Sequence, residues 1–139
     1  MEDRYLFKAK RTDNGEWVTG SLITCEDGAC KIATSCLEGK ANEPILVCAY
    51  DVDRDTICQC TGLKDKNGKL IWENDIVSYW DSYSTENGLA EMDCIGKVVW
   101  DAETISFQVT NRLSAESYEV LDECSVIGNK VDNPELLEL

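Results

Sequence analysis

The sequence predicts a mainly β protein, in which several short antiparallel strands form barrel-like, partly SH3-like sheets and a short C-terminal helix follows them. Three features of its 139 residues support this fold class. Short runs of apolar and β-branched residues alternate with turn-forming residues. Asn-Gly pairs, in which both residues tolerate positive φ, separate several of these runs. No segment has the 3.6-residue apolar periodicity of a long helix.

Four segments in the first part of the chain combine β-forming residues with turn signals at their ends. They are RYLFKAK (4–10), EWVTGSLIT (16–24), CKIAT (30–34) and ILVCAY (45–50). Asn14-Gly15 separates the first two segments, and the Asp-Gly turn in EDGA (26–29) separates the second from the third. The pattern therefore predicts a series of antiparallel hairpins.

Six more segments predict strands in the second part of the chain. They are TICQCT (56–61), KLIWE (69–73), DIVSYW (75–80), CIGKVVW (94–100), TISFQVT (104–110) and CSVIGN (124–129). Turns are predicted at Asn67-Gly68 and at residues 101–103. Residues 81–93 are polar and lack β periodicity, so they are predicted to form a mobile loop. The order of strand, long loop and strand pair from Asp75 to Val109 resembles part of a small SH3-like barrel.

The last residues, DNPELLEL, predict a short helix over 133–139. Asn133 is a suitable N-cap, and Pro134 is favoured at the first helical position. No Pro-rich or Ser-rich linker interrupts the chain, so we expect a single domain over residues 1–139. Two β lobes, at about 1–55 and 56–131, are compatible with that domain.

The chain is strongly acidic, with 13 Lys and Arg residues against 27 Asp and Glu residues and a formal net charge of -14. Because nucleic-acid affinity rests on neutralising phosphates, this charge disfavours nucleic-acid partners. The charge either keeps the protein soluble or forms an acidic face for a basic partner, even as a mimic of nucleic acid. The opening residues MEDRYLFKAKR lack the apolar core of a secretion signal, and no run approaches the ~20 apolar residues of a membrane span. We therefore expect a cytoplasmic protein with no membrane partner.

Eight cysteines are spread over the chain. They are Cys25, Cys30, Cys36, Cys48, Cys58, Cys60, Cys94 and Cys124. Without a secretion signal we expect reduced thiols, which behave as small buried hydrophobes. Zinc is the alternative, but structural zinc usually draws its ligands from paired Cys or Cys and His units. The chain has no His, and Cys25-x₄-Cys30 and Cys58-x-Cys60 are the nearest approaches to such a pair.

Sequence patterns for catalysis and cofactor binding are missing. Without His, a Ser-His or Cys-His nucleophile system cannot be built. The sequence also lacks the G-x-G-x-x-G dinucleotide loop and the P-loop, the two glycine-rich motifs that bind phosphate groups. Asp51, Asp53 and Asp55 could ligate calcium, but an EF-hand needs Gly and Glu where Thr56 and Gly62 stand. We therefore predict no catalytic, cofactor-binding or metal-binding residues and no enzymatic activity.

The four tryptophans fall in strand-like runs. They are Trp17, Trp72, Trp80 and Trp100. Exposed aromatic rings can stack on bases or sugars. In alternating strands their expected role is core packing.

Three stretches together resemble a known family. They are FKAKRTDNGEWVTGSLI (7–23), CTGLKDKNGKLIWENDIV (60–77) and VIGNKVDNPELLEL (126–139). In this order they resemble the YopX family, small proteins carried mainly by phages and prophages. The resemblance covers nearly all of the chain and implies a mostly β fold with barrel-like sheets in a bacterial host cell. It implies no established activity and no catalytic residues.

The sequence departs from the family pattern at Ala9, Cys60 and Asn74. Gly is common at the positions of Ala9 and Asn74, and an aromatic residue is common at that of Cys60. Asn tolerates left-handed backbone geometry, so we expect a tight turn at Asn74 to survive.

The leading functional hypothesis is a non-enzymatic accessory protein of a phage or prophage. It would bind another protein through its acidic face or an exposed sheet edge, and a homo-oligomer is compatible with this. The alternative is a small β-barrel that binds nucleic acid through a local basic patch. That patch would be supplied by Lys64, Lys66 and Lys69 together with Arg4, Lys8, Lys10 and Arg11. An enzyme that uses paired carboxylates is a third class.

Overall fold

A computed structural model describes residues 5–35, 47–110, 117–119 and 124–137. The described residues are mainly in strands, which confirms the predicted fold class. The strands are β1 Phe7–Lys10, β2 Trp17–Thr24, β3 Cys30–Ser35, β4 Val47–Val52, β5 Cys58–Lys64, β6 Leu70–Trp72, β7 Asp75–Thr85, β8 Gly88–Asp101, β9 Ser106–Thr110, β10 Ser117–Glu119 and β11 Ser125–Asn129.

The chain divides into two compact units, residues 1–60 and 61–139. Strand β5 begins in the first unit and ends in the second. The expectation of a single domain, with lobes at about 1–55 and 56–131, stays a prediction.

The first unit is an antiparallel sheet with the strand order β4-β3-β2-β1-β5. In β1, Ala9 lies opposite Val18 of β2, and Phe7 lies opposite both Gly20 of β2 and Gln59 of β5. Because successive side chains of a strand point to opposite faces, the odd-numbered residues of β1 face the core. That core consists of buried Ala9, Cys30, Ile32 and Val52, with Phe7, Val18, Leu22 and Ile57 packed against it.

The end of β4 reaches back to the end of β1. Arg11 and Val52 form an isolated bridge, and the N–H of Thr12 donates to the carbonyl of Asp51 at 3.0 Å. A closed barrel needs continuous pairing between its first and last strands. Among the described residues neither sheet closes in this way, so the predicted barrel-like sheets are two antiparallel sheets without closure.

The second unit holds a five-stranded antiparallel sheet with the order β10-β9-β8-β7-β11, and the later part of β5 pairs with β6. The last strand returns to the first strand of the series, since Val126 of β11 lies opposite Val77 of β7. The core consists of buried Ile71, Val77, Val98, Val109 and Cys124, with Tyr79, Phe107 and Val126 packed against it.

Strands β7 and β8 form a long hairpin, so the predicted mobile loop at 81–93 is wrong. Their backbone pairing runs without a break from Ile76 opposite Lys97 to Thr85 opposite Gly88. Backbone hydrogen bonds define a ladder whether or not its residues are apolar, and the Asn87-Gly88 pair is itself a hairpin signal. The long loop on which the SH3-like interpretation of residues 75–109 depended is therefore replaced by paired strands.

The two flanking strands cover only part of this hairpin. β11 pairs with β7 as far as Ser78, and β9 pairs with β8 from Lys97 onward. Among the described strands, residues 79–96 pair only with each other, and we call them the β7–β8 ribbon.

Three predicted turns are present, but only their glycines have positive φ. The φ angles are 71° at Gly15, 88° at Gly28 and 82° at Gly68, whereas Asn14 and Asn67 are not in the left-handed region. The turns therefore place one glycine in the left-handed region after an ordinary turn, rather than the pair of positive φ angles of a two-residue type I′ hairpin.

The predicted C-terminal helix is a 3₁₀ turn over Pro134–Leu137. Its packing on Gly128 is tight, since an added Cβ at Gly128 would lie 2.6 Å from Oδ1 of Asn133 and 3.0 Å from Leu136 Cδ1. The short apolar tail does not propagate an α-helix, because helix nucleation fixes several residues for few hydrogen bonds. No helix in the described part of the chain has the length and apolar character to cross a membrane.

Candidate functional site

The TGLKDKNG segment of the sequence motif surrounds one buried carboxylate. Asp65 is only 5% exposed. Its Oδ1 accepts the backbone N–H groups of Asn67 and Lys69, each at 2.9 Å. Its Oδ2 accepts the N–H of Val126 in β11, also at 2.9 Å. One side chain therefore bonds to two N–H groups of the β5–β6 turn and joins that turn to β11.

The surroundings of Asp65 favour its charged form. Burial alone raises the pKa of the carboxyl, but the N–H groups of Val126, Lys69 and Asn67 lower it, and the positive charge of Lys69 adds to their effect. The net result is a pKa below the ordinary value for Asp. Hydrogen bonds to the charged form dominate over desolvation here.

The turn itself does not require this carboxylate, as a second turn over 25–29 shows. In both 25–29 and 65–69 the N–H of the first residue donates to the fifth carbonyl at 2.8 Å. The N–H of the fourth residue donates to the first carbonyl at 3.0 Å in both turns. The first residue is Cys25 in one turn and Asp65 in the other. The distinct contribution of Asp65 is therefore the bond to β11.

A second buried carboxylate follows in the same motif. Asp75 is 2% exposed, and its Oδ2 accepts the N–H of Trp72 at 2.8 Å. Between them, Asn74 has a φ of 70°, so the expected left-handed turn is present at this position. The N–H of Asn74 donates to the carbonyl of Val98 at 2.8 Å, and the carbonyl of Asn74 accepts the N–H of Lys130 at 2.9 Å. The motif thus connects β6, β7, β8 and the segment after β11.

The basic residues considered for nucleic-acid binding fall into two groups. Lys64, Lys66 and Lys69 are exposed on or beside the β5–β6 turn of the second unit. Lys8 and Lys10 lie in the first unit, with their Nζ atoms 4.8 Å and 5.5 Å from the centre of the Trp17 ring. Arg4 lies outside the described residues.

Arg11 is engaged by neighbouring side chains. Its guanidinium forms two hydrogen bonds to Asp13, at 2.9 Å and 2.6 Å, and lies 4.1 Å from the centre of the Tyr50 ring. The hydrogen bond to Asp13 raises the pKa of Arg11, and the same contact lowers the pKa of Asp13. Arg11 therefore adds little free positive charge to a patch around Lys8 and Lys10.

Two of the three aspartates of the candidate calcium loop have separate structural roles. Asp51 is exposed on β4 and accepts a 2.7 Å hydrogen bond from Lys31, which raises the pKa of that lysine. Asp53 caps the 3₁₀ turn Arg54–Thr56 by accepting the N–H of Asp55 at 3.0 Å. Among the residues that the structure describes, no three acidic or cysteine side chains are grouped to hold a metal ion.

Most of the described cysteines behave as small hydrophobes. Cys30, Cys58, Cys60, Cys94 and Cys124 are buried free thiols, and Cys25 is a half-buried one. Cys48 differs, because it is disulfide-bonded, and the prediction of reduced thiols is wrong for this residue. It is half-buried on β4, the edge strand of its sheet. Cys36 lies outside the described residues.

The position of one lysine of the second unit lowers its pKa. Burial on β8 lowers the pKa of Lys97, and the nearby charge of Lys130 lowers it further. A lowered lysine pKa can mark a functional site. Here the half-buried position in the sheet accounts for it.

The tryptophans do not all pack in the core, contrary to the sequence prediction. Trp72 is buried at 9% exposure, and Trp17 is half-buried. Trp80 on β7 is 67% exposed and Trp100 at the end of β8 is 47% exposed. Trp80 lies beyond the last residue of β7 that pairs with β11, which leaves that part of the strand without a described flanking strand.

The hairpin that joins β8 to β9 ends in a group of exposed apolar residues, and we call residues 100–107 the β8–β9 tip. Trp100 lies opposite Phe107, with ring centres 5.1 Å apart in an edge-to-face arrangement. Ile105, in the turn between them, is 76% exposed. Its φ of 53° is left-handed, which is an outlier for a β-branched residue and costs about 1–2 kcal/mol.

These observations define an antiparallel β protein of two compact units, in which the buried Asp65 carboxylate joins a turn to the last strand of the second unit. The chain belongs to the YopX family, since the family model described as YopX protein matches residues 6–138. The resemblance inferred from the three sequence stretches is therefore confirmed.

One solved structure supports the same fold. The chain is similar to the structure described as the crystal structure of protein EF1440 from Enterococcus faecalis, with 25% sequence identity and a TM-score of 0.53. The similarity covers 94% of this chain and 96% of that chain. No curated protein matches the chain.

Proposed function

We propose that this chain is a non-enzymatic accessory protein of a phage or prophage that binds another protein through a basic surface of that partner. The supporting observation is that large apolar side chains stand exposed on the second unit of an acidic chain. They are Leu63, Trp80, Trp100, Ile105 and Ile127, with exposed fractions from 42% to 76%.

Charge and apolar area have different roles in such an interaction. Burying exposed apolar surface supplies affinity, because it removes that surface from water. Acidic groups around such an apolar area increase the rate of association with a basic partner and disfavour the binding of acidic proteins. In the β7–β8 ribbon, residues 79–96 include four acidic residues and no Lys or Arg. The net charge of -14 extends this bias to the whole chain.

The test is affinity capture of the tagged full chain from infected bacterial cells under gentle conditions. We expect a stoichiometric protein partner whose capture weakens as salt is raised, because surface charge attraction is screened. Trp80→Ser should reduce capture, whereas Val47→Ser, which changes a 66% exposed residue of the first unit, serves as the matched control. Failure to recover any reproducible partner would count against the proposal.

A second candidate function is nucleic-acid binding, either directly or by mimicry. Lys8, Lys10 and Trp17 favour direct binding, because an aromatic ring beside two ammonium groups suits stacking and phosphate contact. A gel-shift series at low salt decides the matter, and no retardation at micromolar protein would end it. As a mimic, the acidic chain would instead displace nucleic acid from a captured basic partner.

A further inference from the structure

The β8–β9 tip combines three properties that internal packing does not explain. Ile105 is 76% exposed, so its side chain adds little to the core. Its backbone is left-handed, a conformation that Gly or Asn adopts at lower cost. Trp100, one residue pair from the turn, leaves 47% of its surface exposed. A strained residue that does not serve packing points to a contact outside the chain.

The charge around the tip indicates what that contact is. Asp101 ends β8 and Glu103 lies in the turn, and no Lys or Arg occurs from residue 98 to residue 110. Asp101 accepts the N–H of Glu103 at 2.9 Å, which holds the acidic turn in a defined shape. An apolar centre with an acidic border is complementary to an apolar side chain that has Lys or Arg on both sides. A second copy of this acidic chain would be repelled by the same border.

We propose that the β8–β9 tip is the recognition element of this protein, and that Trp100 and Ile105 bind an apolar side chain flanked by Lys or Arg in a partner protein. This inference rests on the proposed protein-binding function and names the surface and the chemistry of its partner. Phe107 supports the contact indirectly, because its edge-to-face packing fixes the Trp100 ring.

The test begins with selection from a displayed library of random 12-residue peptides on the immobilised full chain. We expect the enriched peptides to share an aromatic or aliphatic residue flanked by Lys or Arg. A synthetic peptide of the consensus should bind about thirtyfold more weakly to Ile105→Asn and to Trp100→Ala, the size of effect that central interface residues give. Ile23→Asn makes the same substitution at a 43% exposed strand position and should bind as the wild type does.

The stability of the same variant separates recognition from a structural role. Ile105→Asn should melt at a higher temperature than the wild type, because Asn accepts the left-handed conformation more readily. A variant that is more stable but binds less well is the expected signature of a residue kept for contact. If Ile105 made no contact outside the chain, the substitution would raise stability without changing peptide binding, and if Ile105 stabilised the fold, the substitution would lower stability.

Three results would overturn the proposal: no enriched peptide, enriched peptides without basic residues, or a consensus peptide that binds Ile105→Asn like the wild type. These outcomes are distinct from failure of the proposed function. If the cellular partner is captured equally by wild type and Ile105→Asn, protein binding stands and only the assignment of the tip falls.

Discussion

Replacing Asp65 by Asn should remove one long-range connection and leave the local turn in place. The amide of Asn has one oxygen and one NH₂ group, so it can accept hydrogen bonds at only one of the two carboxylate positions. If its oxygen keeps the N–H groups of Asn67 and Lys69, its NH₂ faces the N–H of Val126. Two donors then meet where a donor and an acceptor met before.

The size of the effect on stability follows from the hydrogen bond that the N–H of Val126 loses. A hydrogen bond to a charged group contributes about 1.5–3 kcal/mol, and a buried donor left without an acceptor costs about 1–3 kcal/mol. We therefore expect Asp65→Asn to lower the free energy of unfolding by about 2–3 kcal/mol. Asp65→Ala should cost more, because three N–H groups lose their acceptor. Glu103→Gln removes the same charge from an exposed position and should stay within about 0.5 kcal/mol of the wild type.

The assay is urea unfolding followed by tryptophan fluorescence in a Trp17→Phe background, so that the signal arises from the second unit. We expect the urea midpoint of Asp65→Asn to fall with little change in the dependence on urea. Amide exchange should quicken at Val126 more than at Asn67 and Lys69. Equal stability of Asp65→Asn and Glu103→Gln would refute the assigned role of this carboxylate.

Further predictions concern pH and backbone geometry. Since the folded-state pKa of Asp65 is lowered, its stabilisation is present above the unfolded value of about 3.9 and is lost as pH falls through the folded value. The urea midpoint of the wild type should therefore fall more steeply below about pH 4 than that of Asp65→Asn. Gly20→Ala should destabilise the first unit by about 1–3 kcal/mol, because the added Cβ would lie 2.2 Å from the Ala33 carbonyl oxygen. Gly15→Ala, which has open space but a φ of +71°, should cost only about 1 kcal/mol, and thermal melting of the two variants checks the difference. Asn74→Ala should lower the melting temperature, whereas Asn74→Gly should keep the left-handed turn.

Local signals allowed much of the fold to be predicted from sequence. Gly15, Gly28 and Gly68 each mark a turn, because a residue without Cβ is favoured where φ is positive. The segment 81–93 lacks apolar alternation and so predicts a loop, whereas the Asn87-Gly88 pair at its centre is the signal that agrees with the observed hairpin.

Long-range relations could not be predicted in the same way. The sequence around Asp65 indicates a turn, but its third partner, Val126, is 61 residues away. Exposure of Trp80 and Trp100 depends on where neighbouring strands stop pairing, and strand composition does not encode that point. The left-handed backbone of Ile105 runs against the preference of its residue type, so propensity alone predicts the opposite.

The pairing of β11 with β7 has a consequence for how the protein is made. The outer edge of β7 at residues 75–78, the second oxygen of Asp65 and the carbonyl of Asn74 all find partners between residues 124 and 130. During synthesis these groups leave the ribosome long before their partners do, since translation proceeds from the N-terminus. The strand pairings of the first unit end by residue 60. Its sheet can therefore form before the last strand of the second unit has been synthesised. A chain that stops before β11 would therefore carry an open strand edge and an Asp65 carboxylate whose Oδ2 lacks its backbone partner.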